Sequence, residues 1–424
     1  MCGKLRGRMA TLMLVGMMLG IARVFLAAQE PPELEGKPVA QAPAEQKPTP
    51  LPEAIEKAWA AAGAEIGWMR LKMQIDEPLL GETGSMLTFV PRDEGQKGDI
   101  PAFRLRDRHI PTVSQAWQAG LLPKLPEPQV PFGLDLTKLP LTDRWLVDLR
   151  GLKNLQALDL ASTQVTDAGL KELAALKNLQ WLNLAGTKIT EVGLKELAGL
   201  KNLQTLNLLG TKITDAGLKE LAELKNLQTL NLAFSRVTHA GLKELTGLKN
   251  LQWLDLEATK ITDAGLKELA GLKNLQTLHL NGTQITDAGL KELTGLKNLR
   301  WLDLSHTKIT DPGLKELSGL KNLQGLGLSA TQITDAGLKE LTGLKNLQWL
   351  SLISTPITDA GLKELAALKN LQWLYLWNTR ISDAGLKELA ALKNLQSLSL
   401  WGTQVTDAGV EELRKALPNC DISR

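Results

Sequence analysis

From Leu152 onward the chain sets leucine at fixed intervals among polar residues. In "LKNLQALDLASTQVTDAGLKELAA" (152–175), Leu155, Leu158 and Leu160 are interleaved with Ala157 and Asp159. That alternation predicts a short strand with one apolar face. Val165 closes the following turn, and Leu170 and Leu173, three apart, predict a short helix. Each block is therefore expected to be one strand, one turn and one helix.

Eleven such blocks run from 152 to 415 with a 24-residue period. A degenerate copy, "FGLDLTKLPLTDRWLVDL" (132–149), precedes them, and a short tail, "LPNCDIS" (417–423), follows. One block cannot bury its own leucines, whereas stacking buries them, so the period predicts a solenoid. Strands would form a curved parallel sheet on the concave face, with short helices on the convex face. At about 4.8 Å per strand the eleven copies give a concave sheet of roughly 50 Å. The expected class is α/β, with a degenerate cap at 128–151, repeats at 152–415 and a C-terminal cap at 416–424.

The polar positions carry their own expectations. "TDAGL" keeps Asp in nine of eleven copies, and one copy reads Asp311–Pro312–Gly313. Pro suits the first helical position and Asp is a favoured N-cap, so Asp167 and its equivalents are expected to cap. Glu191 and His239 are the exceptions. Thr163 is Thr in ten copies and Ser235 in the other, which predicts a structural hydroxyl satisfying turn backbone. Asn154 and its ten equivalents are expected to set the entry to each strand through left-handed backbone.

These residues carry a family resemblance over about 134–423. "LKNLQTLNLLGTKITDAGLKEL" resembles a leucine-rich repeat of the bacterial exported, internalin kind. Its "ITDAGLKEL" half resembles the cysteine-containing subtype of F-box proteins. Thr stands where the first kind usually has Asn and the second usually has Cys, and no F-box is recognisable. The resemblance implies binding of proteins or other ligands on the concave face.

The first 127 residues do not repeat. Lys4, Arg6 and Arg8 precede an apolar run broken only by Arg23, which predicts a secretory signal peptide or signal anchor over 1–28. Membrane tethering is expected only through 9–28. A Pro-rich linker covers 29–52. A small α/β module is expected at 53–127, with a helix at 53–63 and strands at 65–73 and 86–90. Asp76, Asp93, Asp99 and His109 lie in it without diagnostic spacing.

Because the copies are so alike, even Lys171–Glu172 recurs in ten of them, and divergence is the stronger functional signal. It concentrates at two outward strand positions and the two residues after the strand. Trp349, Trp373, Tyr375, Trp377 and Trp401 gather on three adjacent strands, with Trp253 and Trp301 at equivalent positions. Such an exposed aromatic cluster marks an interaction surface. Asp255, His279 and Asp303 form a polar row, near Glu257 and His306.

Net charge narrows the field. The 424 residues carry 49 basic and 46 acidic side chains, near balance, so nucleic acid is not an expected partner despite Lys188, Lys212, Arg236, Lys260, Lys308 and Arg380 at one turn position. Two cysteines exclude a disulfide framework. No nucleophile–base pair, phosphate loop or metal-ligand motif is present, so no catalytic residue, metal or cofactor is assigned. The expectation is an exported, non-enzymatic binding protein of the periplasm, envelope or exterior, recognising a protein or surface polysaccharide. A structural, self-associating envelope protein is the alternative, and a ubiquitin-ligase adaptor of the F-box type a more distant one. Oligomeric state is left open.

Overall fold

The computed structural model describes residues 48–71, 87–105 and 122–424. The 1–28 segment, most of the linker, Asp76 and His109 lie outside them.

The helix expected near 53–63 spans Glu53–Ala61, and three strands follow: β1 (Glu65–Leu71), β2 (Leu87–Pro91) and β3 (Ile100–Arg104). β1 pairs antiparallel with both β2 and β3. β3 then pairs in parallel with β4 (Phe132–Asp135), which pairs with β5 (Leu155–Asp159). From β5 every coil adds one parallel strand, ending at Asp421–Ser423, in a single 16-stranded sheet ordered along the chain after the N-terminal hairpin. Neighbouring strands pair equivalent residues, such as Ala157 with Trp181 and Trp181 with Thr205. Helical segments such as Asp167–Leu173 and Asp215–Leu221 cover the other side. Packed helices stand about 8–10 Å apart and strands about 4.8 Å, so the strand face is the inner one.

The leucines do what their spacing predicts. Leu155, Leu158, Leu160, Val165, Leu170 and Leu173 are all fully buried, and their equivalents are buried, in one continuous core. That core does not stop at the first coil. Trp59 stacks on Phe103 at 4.0 Å, and both meet Phe132 edge-on at 6.3 and 6.0 Å. The Trp59 indole donates to the Pro126 carbonyl at 3.0 Å. This aromatic plug covers leucines that would otherwise end the stack in water. Arg104–Asp135 (2.6 Å) and Arg70–Asp99 (2.8 Å) are ion pairs with largely buried carboxylates beside it.

Three polar columns recur along the stack; two of them tie coil to coil, and those two differ from expectation. The helix N-cap is Thr166, not Asp167. Asp167 sits one residue inside and reaches forward, accepting from the Thr190 N–H at 2.8 Å and its hydroxyl at 2.6 Å. The same strap runs from Asp143, Asp215, Asp263, Asp287, Asp311, Asp335, Asp359 and Asp383. The carboxylate occupies the space beside the next coil's helical glycine: a Cβ on Gly193 would fall 2.5 Å from the Asp167 Oδ1. Asn178 is not left-handed; its Nδ2 donates to the Lys153 carbonyl of the preceding coil at 2.9 Å, and equivalents repeat this to Asn394. The left-handed position lies elsewhere, three residues past each strand, at Ser162, Gly186, Gly210, Phe234 and on to Gly402. The threonines behave as expected, each donating to the carbonyl three residues back, as Thr163 to Leu160 at 2.7 Å.

Candidate functional site

The outward strand residues and the two after each strand line the inner face. Strand period and parallel register fix their columns. The residues singled out by divergence fall into two groups.

The first group is aromatic. Trp377 and Trp401 stand on neighbouring coils at 41% and 46% exposure, while Trp373 and Tyr375 are half-buried. Trp349, expected to be exposed, is buried, as is Trp301. The cause is Gly325 on the strand between them. Without a side chain there, the Trp301 ring lies across the glycine and meets Trp349 at 4.6 Å; a Cβ on Gly325 would fall 2.0 Å from that ring. Trp349 also touches Tyr375 at 5.7 Å. Trp301 thus joins the C-terminal aromatic group across one strand. The Trp349 indole N–H is buried with no hydrogen-bond partner among the described residues. Trp377 leans toward Gly402, where a Cβ would come within 3.4 Å of its ring.

The second group is ionisable. Asp255, His279 and Asp303 are register partners on adjacent strands. Asp255 is buried and accepts from the Glu257 N–H at 2.9 Å. Burial raises its carboxyl above the usual range, and the His279 ring opposes the rise. Burial, then the charge of Asp255, pushes Glu257 up to about 7. His279 rests against Trp253 at 5.4 Å. Asp303 accepts from the Ser305 N–H at 2.9 Å and fills space left by Gly327. Among the described residues no three or more His, Cys, Asp or Glu side chains are placed to hold a metal ion.

Further toward the N-terminus the same column reads Asp159, Asn183, Asn207 and Asn231, all buried. These accept from the backbone N–H two residues on, as Asn183 does from Ala185 at 3.0 Å. Asp159 was not among the candidates; burial pushes its carboxyl up to about 7. Phe234 and His306 occupy left-handed backbone at φ 56°, and Phe234 is 50% exposed. The six basic turn residues from Lys188 to Arg380 are exposed on the rim rather than gathered in the face. Asp93 and Asp99 lie apart from the inner face; Asp99 belongs to the Arg70 ion pair.

Comparison with known proteins agrees with the geometry. Leucine-rich-repeat family models match residues 136–293 (leucine-rich repeat region), 273–333 (leucine rich repeat) and 369–415 (leucine rich repeats, two copies). An internalin of Listeria monocytogenes is 26% identical with a TM-score of 0.52, over 65% of this chain and 82% of that one. A leucine-rich-repeat protein of Leptospira interrogans is 28% identical with a TM-score of 0.40, over 70% and 90%. Internalin C2 of Listeria monocytogenes is 29% identical with a TM-score of 0.34, over 56% and 84%. No curated protein sequence matches. The fold is a leucine-rich-repeat solenoid, and such repeats are generally protein-interaction modules. No helix among the described residues is long and apolar enough to cross a membrane.

Proposed function

We propose that this leucine-rich-repeat solenoid is an exported, non-enzymatic recognition protein, binding a protein or surface polysaccharide through its inner face. The observation that carries this reading is the pair Trp377 and Trp401, two large aromatics left 41% and 46% exposed on adjacent coils. Leaving both indoles wet is unfavourable at about 25 cal/mol per Å² of apolar surface, and contact with a partner removes that penalty. The sheet is preformed, so little ordering entropy is lost on binding. Trp373 and Tyr375 extend the contact area, and Trp301 and Trp349 pack beside them on the N-terminal side. Asp255, His279 and Asp303, with Trp253, form a second, polar contact zone. The basic-then-apolar N-terminal sequence and the likeness to an internalin support export to the periplasm, envelope or exterior.

The test pairs the purified protein with a Trp373→Ala/Trp377→Ala form. Both are titrated with envelope proteins and a polysaccharide panel, and complexes are identified by mass. Losing two central aromatics should weaken the cognate complex by roughly thirtyfold or more, the range of interface hot spots. Equal affinity in the two forms would remove the aromatic group from the binding site.

A further inference from the structure

We infer that the occupant of the C-terminal third of the inner face is a neutral polysaccharide chain. The inference rests on the concave-face reading and narrows it to one ligand chemistry. Across the four coils concerned, the outward strand positions and the two residues after each strand carry no charged side chain. They read Gly325, Gly327, Ser329 and Ala330; then Trp349, Ser351, Ile353 and Ser354. Next come Trp373, Tyr375, Trp377 and Asn378, and last Ser397, Ser399, Trp401 and Gly402. The glutamines at 324, 348, 372 and 396 border the same zone and are also uncharged.

The contrast lies within the same molecule. On the three preceding coils the same columns hold Asp255, Glu257, His279 and Asp303. Protein contacts typically mix aromatic anchors with Arg and a charged rim. An anionic polymer would need lysine or arginine beside the rings. The positions named carry neither; Arg380, two residues past Asn378, and Asp421, the register partner of Ser397, mark the edges of the uncharged zone. What remains is aromatic faces set among hydroxyls and amides: Ser354 and Asn378 exposed, Ser397 and Ser399 half-buried. A pyranose offers the complement, a C–H face for an indole and hydroxyls for Ser, Asn and Gln.

Spacing agrees. Each coil advances by about 4.8 Å, comparable to the width of one sugar ring, so a chain laid across the strands meets one coil per sugar. Trp377 and Trp401 lie on successive coils, joined through the Asn378 N–H to Trp401 carbonyl bond at 2.8 Å. Gly402 has no side chain to crowd the Trp377 ring, whose Cδ1 and Nε1 would stand 3.4 Å from a Cβ at that position. Trp301 and Trp349, packed at 4.6 Å over Gly325, close the zone on its acidic side.

Affinity gel electrophoresis tests this, with the full protein run through gels containing soluble neutral glucan, mannan or galactan, and with sedimentation against chitin and cellulose. At least one neutral glycan should retard or sediment the protein. The effect should change less than twofold between low and high salt, because no ion pair is screened. Trp377→Ala/Trp401→Ala should weaken it by roughly tenfold or more. Lys219→Ala, exposed on the helical side, should leave it unchanged. Both tryptophans are well exposed, and an unaltered urea midpoint of the double variant separates lost binding from lost folding. Failure of every neutral glycan, a salt-sensitive complex, or an unaffected double variant overturns the inference. If a protein, or a second copy seen by sedimentation velocity, instead binds through Trp377 and Trp401, the glycan falls while concave-face recognition stands. If the tryptophans matter to nothing tested, both fall.

Discussion

Replacing Asp159 with Asn should stabilise the protein at pH 8 and not at pH 4. Asp159 is 3% exposed, accepts from the Ala161 N–H at 2.9 Å and from Asn183 Nδ2 at 3.1 Å. Burial dominates its environment and pushes the carboxyl up to about 7. In the unfolded chain it titrates near 3.9, a difference of about 3 units, or about 4 kcal/mol at 1.36 kcal/mol per unit. The sign follows from proton binding. Because the folded pKa is raised, the native state holds a proton the unfolded state has released. Stability is therefore full below about pH 4 and is lost as pH rises through about 7. Asn is neutral throughout and keeps the Ala161 contact, as Asn183 does with Ala185. It forfeits the bond from Asn183 to a carboxylate, about 1–2 kcal/mol. The net gain is about 2–3 kcal/mol at pH 8, turning to a small loss near pH 4. Urea unfolding followed by tryptophan fluorescence measures this, with hydrogen exchange of the 155–185 strands resolving local from whole-array melting in a repeat stack. A gain of equal size at both pH values, or a loss at pH 8, would refute the reasoning.

Glu191→Asp and His239→Asp should each raise stability by about 1–2 kcal/mol, because an aspartate there can bond Thr214 or Thr262 as nine coils already do; unchanged urea midpoints would show that the strap contributes little. Phe234→Gly should stabilise by about 1 kcal/mol, since φ 56° disfavours a residue with a Cβ and four equivalent positions are already glycine. A lower midpoint would mean that the exposed ring packs on its neighbours more than the backbone resists it.

The solenoid was legible because leucine spacing alone dictates which faces must be covered, and no other contact competes with that demand. The straps were half legible. Thr166 and Asp167 are adjacent and both are N-cap types, so local sequence cannot choose between them. The choice is made by the next coil, where Thr190 presents an N–H and a hydroxyl that only the residue one step inside the helix reaches. The asparagines misled for a similar reason, since their propensity for left-handed backbone is local and their actual bond crosses a coil boundary. In the candidate site, the columns were predictable from strand period, but burial within them was not. Nothing at Trp301 or Trp349 signals burial; the signal is the missing side chain at Gly325 between them. The aromatic plug around Trp59 escaped because 53–105 has no period to reveal what it packs against.

The constant positions explain where variation is allowed. Leucines fill the core, and Asp, Asn and Thr tie coil to coil at the helix side and the turns. Little stability is left to depend on the outward strand residues. Those positions therefore change without unstacking the array, provided a buried charge is avoided, and Asp159 and Glu257 mark where it is not. The face that results is graded: buried amides first, an acidic and imidazole zone next, uncharged aromatics last. Six strand steps separate Asp255 from Ser399, about 29 Å at strand spacing. The zones abut where Asp303 pairs with Gly327, but a short ligand over Trp377 and Trp401 stays three or more strand steps, about 14 Å, from Asp303. Only a long chain or a folded partner spans both, so coupling between the zones is a property of ligand length and not of the rigid sheet.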